Sequence, residues 1–226
     1  MSDALQDVFD DVVDGKHEDA QASVTRALDT GVAAEDILTR GLIAAMAEVG
    51  DRFEAGEFYV PEMILSARAM KSGLAVLRPR MVEKPGTTRG VLVIGTVKGD
   101  LHDIGKNLVA MMFEGAGYRI VDLGTDVSPD AFAEAVRTHQ PSVVAMSALL
   151  TTTMLNMKAC LAGVQASGIR NRVKVLVGGA PVTAAFATEI GADGFAPDAS
   201  RAVKVAQGLL LESQRSSTVG SDKQTG

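Results

Sequence analysis

The sequence predicts two domains of different class: an N-terminal all-α four-helix bundle, then an α/β domain built on a doubly wound, five-stranded parallel sheet. Three observations carry this. Up to about residue 80 the apolar residues recur at helical spacing, with no alternating run. At 78–90 the segment "RPRMVEKPGTTRG" has the proline, glycine and mixed charge of a linker. Beyond it, short apolar runs alternate with helical segments, the pattern of parallel strands buried on both faces.

Four helical segments are expected, at roughly 3–14, 17–30, 33–53 and 59–78. Leu5, Val8, Phe9, Val12 and Val13 define the first stripe, and Ile37, Leu38, Leu42, Ile43, Met46 and Val49 the third. The breaks "DGKHED", "DTGVAAED" and "EAGEFYVPE" separate them, and Pro61 suits the first turn of the fourth helix, where an N–H has no partner anyway. The domain boundary is expected at 84–85, giving a helical cap over 1–84 and a second domain over 85–213. In that second domain the strands are "GVLVIGT", "YRIVDLG", "SVVAMSA", "KVLVGGA" and the short "DGFAP". Helices begin at Ile104 and Pro129, pass through Met157 and Phe186, and begin again at Ser200; residues 214–226 are polar and expected to fray as a flexible tail. A flavodoxin-like, Rossmann-like strand order 2-1-3-4-5 puts ligands between the first and third strands, beyond their carboxyl ends.

Composition narrows the function. The 226 residues carry a net charge of −6, so nothing offers the basic patch that nucleic-acid binding requires. Cys160 is the single cysteine, which excludes an internal disulfide and fits a reducing cytoplasm. The acidic start "MSDALQDVFDDVVDGKHED" is unlike a signal peptide, and no apolar run approaches a membrane span. A cytoplasmic protein directed at a small molecule, not at nucleic acid or membrane, is the expectation.

The loop after the first strand, "GTVKGDLHDIGKN" (95–107), resembles a phosphate loop without being one. A P-loop needs four residues between its glycines and then Lys-Ser/Thr; here five separate Gly99 from Gly105, and Asn107 follows Lys106. The dinucleotide fingerprint G-x-G-x-x-G fails as well, since Gly95, Gly99 and Gly105 stand four and six apart, which leaves Asp122 weak as a ribose-binding acid. A receiver domain would need an aspartate at the end of the third strand, where Ser147 stands. What remains is Asp100-x-His102-x-x-Gly105. An imidazole is a sound metal ligand when its second nitrogen is held by an acceptor, and Asp100 is placed to be that acceptor. His17 and His139 lie in polar surroundings and read as surface residues.

With "SALLTTTM" after the third strand and "VGGAPVT" after the fourth, this motif resembles the cobalamin-binding domain shared by methionine synthase, corrinoid methyl-carrier proteins and some adenosylcobalamin mutases. The helical segment "VGDRFEAGEFYVPEMILSARAMKSGLAVLRP" is similar to the cap that precedes that domain, so the resemblance spans all but the last dozen residues. It implies a corrinoid protein that holds cobalamin base-off, with His102 as the cobalt's lower ligand. Asp100 would sit behind the ring and Thr153 would continue the relay where methionine synthase has Ser. The resemblance further implies cofactor contacts at Gly99, Asp103, Gly105, Ser147, Leu149, Thr151, Gly178, Gly179 and Ala199, while Asp103 also suits a helix N-terminus through the dipole. On the fourth helix Tyr59, Met63, Ala69 and Met70 would form a lid, with Tyr59 where methionine synthase has a capping Phe. The implied role is non-catalytic: methyl groups from a methylamine, betaine, methanol or aryl ether are loaded by one methyltransferase. A second passes them to tetrahydrofolate or a thiol, and a reductive activation protein restores Co(I). A cobalamin-dependent sensor and an adenosylcobalamin mutase small subunit are the alternatives; no output module is evident for the first, and the cap disfavours the second.

Overall fold

Helical spacing in the first eighty residues resolves into α1 (Asp3–Val13), α2 (His17–Asp29), α3 (Ala34–Asp36), a π-helical stretch Ile37–Ile43, α4 (Ala44–Glu54) and α5 (Val60–Leu77), with a 3₁₀ turn at Arg78–Arg80. The segment expected as one helix over 33–53 thus changes winding in its middle. Gly41 lies in that stretch, where a Cβ would come 2.9 Å from Val8 Cγ1 of α1. Leu5, Val8, Val12, Val24, Ile37, Leu42, Met46, Val49 and Leu77 are buried as the stripes require, and Ser66 Oγ on α5 donates to Val13 O of α1 at 3.0 Å.

The structure, a computed structural model, describes residues 2–80, 88–166 and 168–221. It divides into two units, Met1–Arg89 with Met111–Tyr118, and Gly90–Ala110 with Arg119–Gly226. The boundary expected at 84–85 lies outside the described residues.

From Gly90 onward the chain alternates β1 (Val91–Thr96), α6 (Ile104–Gly115), β2 (Arg119–Asp122), α7 (Pro129–His139), β3 (Val143–Ser147), α8 (Thr151–Met154), α9 (Asn156–Ala166), β4 (Lys174–Gly178), α10 (Ala184–Ile190), β5 (Gly194–Ala196) and α11 (Ala199–Ser221). All strand pairings are parallel, in the order β2-β1-β3-β4-β5. Continuous burial of Leu92–Ile94, Val143–Met146 and Val175–Val177 shows why these runs do not alternate: helices cover both faces of the sheet. One face packs Val93, Val144, Met146, Val175 and Val177 against Phe132 and Val136 of α7 and Met157, Cys160 and Leu161 of α9. Local signals agree, with Ser128 capping α7 through Ala131 N–H at 3.2 Å ahead of Pro129, and Thr183 capping α10 through Phe186 N–H at 3.2 Å. α11 continues to Ser221, into the segment expected as a tail. Among the described residues no helix is long and apolar enough to cross a membrane.

Register aligns Thr96, Ser147, Gly178 and Ala196 as one row across the last residues of four adjacent strands. The loops that leave this row carry the site. Burial of Cys160 on α9 pushes its thiol up to about 12, so the folded protein is expected to resist iodoacetamide at pH 8. Mass spectrometry should find one added group only after denaturation.

Candidate functional site at the carboxyl edge of the sheet

Five donors converge on the carboxylate of Asp100, which is wholly buried. Oδ1 accepts the His102 backbone N–H at 3.1 Å and faces the His102 ring Nδ1 at 2.7 Å. Oδ2 accepts the N–H of Leu149 at 2.7 Å, that of Leu150 at 3.3 Å and the Thr153 hydroxyl at 2.6 Å. Burial alone would raise the pKa of Asp100. The bonds from Thr153, Leu149 N–H and both His102 donors outweigh it and hold the carboxyl well below its ordinary range. Asp100 is therefore an anion near neutral pH, a state that favours the Nδ1–H tautomer of His102 and leaves Nε2 with its lone pair free. The His102 side chain is 51% exposed, so that nitrogen is open to a ligand.

The backbone around His102 is fixed with equal care. Asn156 Nδ2 donates to Lys98 O at 2.7 Å, Asp126 N–H to Asp100 O at 3.0 Å, and Thr96 Oγ1 to His102 O at 2.8 Å. Asp126 also accepts Gly99 N–H at 2.7 Å and itself adopts a left-handed φ of 56°. Gly99, at φ 82°, takes a turn that a side chain would strain.

Other expected site residues are placed as follows. Asp103 bonds Asn107 Nδ2 at 3.1 Å through Oδ2, and the Asn107 N–H donates to its carbonyl at 2.8 Å. A Cβ on Gly105 would meet nothing within 4 Å. By contrast a Cβ on Gly178 would lie 2.9 Å from Ala196 O, and one on Gly179, at φ 122°, 1.9 Å from Ala148 O. The protein's own backbone therefore demands those two glycines, whatever else passes beside them. Ser147 ends β3, Leu149 and Thr151 are exposed in and after the loop that follows, and Ala199 opens α11 in a buried position. On α5, Met63, Ala69 and Met70 are buried, whereas Tyr59, just before the helix, is 66% exposed.

Sequence reasoning missed two groups. Leu101 and Ile104 are each 74% exposed on either side of His102, and Leu150 and Leu155 are exposed beside Leu149. Large apolar residues inside an otherwise polar loop were the available signal. Lys106 and Asn107, which complete no nucleotide motif, are joined instead: the buried Lys106 ammonium donates to Asn107 and to the partly exposed Asp122. Among the described residues no group of three or more His, Cys, Asp or Glu converges on one point. Within this site the chain offers a metal one nitrogen, set in an apolar rim with open space over Gly105. That donor set fits an ion whose remaining ligands come from a large, partly apolar ring.

Comparison with known proteins agrees with this geometry. Residues 90–204 match a family model described as a B12 binding domain, and residues 4–78 match a second model of the same description. A corrinoid protein of Desulfitobacterium hafniense (strain Y51) is 38% identical over 209 residues, covering 91% of this chain and 97% of that protein. Trimethylamine corrinoid protein 2 of Methanosarcina acetivorans is 42% identical over 196 residues, covering 86% and 90%. The methanol:cobalamin methyltransferase complex of Methanosarcina barkeri contains a chain that superposes with a TM-score of 0.83 at 27% identity, covering 93% of this chain and 80% of that one.

Replacing Asp100 by Asn keeps the shape but removes the anion, and is expected to cost about 2 kcal/mol at pH 7. Because the folded carboxyl titrates below its unfolded value of about 3.9, its contribution is present above that pH and is lost as the pH falls through the folded value. The gap between wild-type and D100N urea midpoints should therefore be full at pH 7 and narrow below about pH 4.

Proposed function

The chain belongs to the family of B12-binding corrinoid proteins, and on that premise we propose that it is a methyl carrier serving a corrinoid-dependent methyltransferase system. In this reading residues 1–84 form the helical cap, 85–213 hold the cofactor and 214–226 are a tail. The observation that carries it is the Asp100 carboxylate held between His102 Nδ1 at 2.7 Å and the Thr153 hydroxyl at 2.6 Å. When bound, the corrinoid supplies a cobalt centre that takes up and gives up methyl groups.

His102 Nε2 would be the protein's ligand to cobalt, in place of the cofactor's own base. Asp100 fixes the tautomer and orientation of the ring, and Thr153 with the Leu149 and Leu150 N–H groups keeps Asp100 ionised. The Asp100 carboxylate on Nδ1, backed by the Thr153 hydroxyl, would keep Nε2 aimed at the metal site. Leu101, Ile104, Leu149 and Leu150, exposed in the free chain, would pack against the cofactor and exclude water around His102, burying apolar surface of their own. Gly99, Asp103, Gly105, Ser147, Thr151, Gly178, Gly179 and Ala199 would be the residues beside the cofactor's nucleotide tail, with open space at Gly105. Tyr59, before α5, with Met63 and Met70 on it, would be the cap residues that protect the methyl group.

One partner methyltransferase loads the methyl group from a methylamine, betaine, methanol or aryl ether; relatives named for trimethylamine and a methanol complex support the first and third of these. A second delivers it to tetrahydrofolate or a thiol, and a reductive activation protein returns oxidised cobalt to service.

Hydroxocobalamin added to the purified chain should give the absorption spectrum of histidine ligation, and His102→Ala should abolish it. An identical spectrum from H102A contradicts the ligand assignment. Gly105→Ala separates folding from binding: with open space at its Cβ and a place in α6, it should leave the apo protein as stable or about 0.5–1 kcal/mol more so. Its affinity for cobalamin, measured by titration, should nevertheless fall.

A further inference from the structure

Lys106 places a charge where a charge is costly. It sits in the first turn of α6, is 3% exposed, and directs Nζ to Asp122 Oδ2 at 2.5 Å and to Asn107 Oδ1 at 2.7 Å. Asp122 is the last residue of β2, and its second oxygen accepts Gly124 N–H at 2.9 Å. Asn107 in turn donates to Asp103 Oδ2 at 3.1 Å. A hydrophobic residue of similar length would fill this position without an ion's desolvation, so the pair contributes direction more than stability.

The direction it contributes concerns His102. β1, which delivers the His102 loop, lies between β2 and β3 in the sheet. Asp100 ties the loop to the segment after β3 through Leu149, Leu150 and Thr153. Lys106 ties the end of the same loop to β2 through Asp122, and Asp126 adds backbone bonds on that side. The imidazole therefore stands between two anchors, one on each neighbour of its own strand. Lys106 follows His102 by four residues and lies in the first turn of α6, which begins at Ile104, directly after the loop that carries the ring.

We propose that the Lys106–Asp122 ion pair is a positioning device for His102: it fixes the start of α6 and so sets how firmly Nε2 is held toward the metal. This rests on the reading of His102 as cobalt ligand. With the pair broken, Asp100 still orients the ring and Asp126 still holds Gly99 and Asp100 from the β2 side, but the start of α6 loses its own tie to β2 and the ligand departs more readily.

The test uses the full chain loaded with methylcobalamin, with absorption followed as the pH is lowered until the histidine-ligated spectrum gives way to the unligated one. Metal and proton compete for Nε2, so weaker ligation raises that midpoint. Lys106→Met and Asp122→Asn should each raise it by about one pH unit, equivalent to a tenfold loss in the ligation constant. The double variant should shift it no further than the larger single, as expected of two ends of one interaction. Asp122 is 40% exposed at its side chain, so D122N carries the test if K106M fails to fold. Thermal midpoints of the apo proteins are measured alongside. Variants that lose thermal stability yet keep the wild-type pH midpoint overturn the proposal, because the pair is then structural only. A wild-type chain that binds methylcobalamin without the ligated spectrum overturns the reading of His102 itself, a failure distinct from equal midpoints in all variants.

Discussion

One buried carboxylate organises the functional end of this molecule. Asp100 takes two donors from His102, two backbone N–H groups from Leu149 and Leu150, and a hydroxyl from Thr153, so both of its oxygens are fully used by the protein. An anion in such a place is stable only while every donor stays, since a buried charge without partners is strongly disfavoured. The loop after β1 and the loop after β3 must therefore keep their relative geometry for the fold to be favourable. The ring of His102 inherits its orientation from that requirement, before any ligand arrives.

The same end of the sheet carries features that a protein built only for stability would avoid. Leu101 and Ile104 face solvent, Asp126 adopts a left-handed backbone, and Lys106 is enclosed beside Asp122. The continuous burial of β1, β3 and β4 provides the rigid base from which these loops project.

Much of this was legible in the sequence, for definite reasons. The parallel sheet was readable because "GVLVIGT", "SVVAMSA" and "KVLVGGA" are apolar without alternation and are separated by helical stretches. The meeting of Asp100, His102 and Thr153 could be anticipated because the strand order brings the loops after the first and third strands together. The π-helical turn at Ile37–Ile43 was not readable, since its apolar spacing also suits an α-helix. Gly178 and Gly179 were read as clearance for a ligand, whereas the structure sets them against Ala196 O and Ala148 O, contacts that depend on strand register and leave no mark in the sequence. Lys106 fitted no motif for a similar reason: its partner Asp122 is distant in the chain, and only the pairing of β2 with β1 brings it near.

The central claim is that the nitrogen beneath the cobalt belongs to His102. The most direct measurement is electron paramagnetic resonance of the chain loaded with cob(II)alamin, prepared once with natural histidine and once with histidine carrying nitrogen-15. If the imidazole is the ligand, the superhyperfine splitting of the cobalt lines changes from triplets to doublets on labelling, and the pattern is lost in His102→Ala. Triplets that persist in the labelled protein would assign the nitrogen to the cofactor's own base and contradict the account.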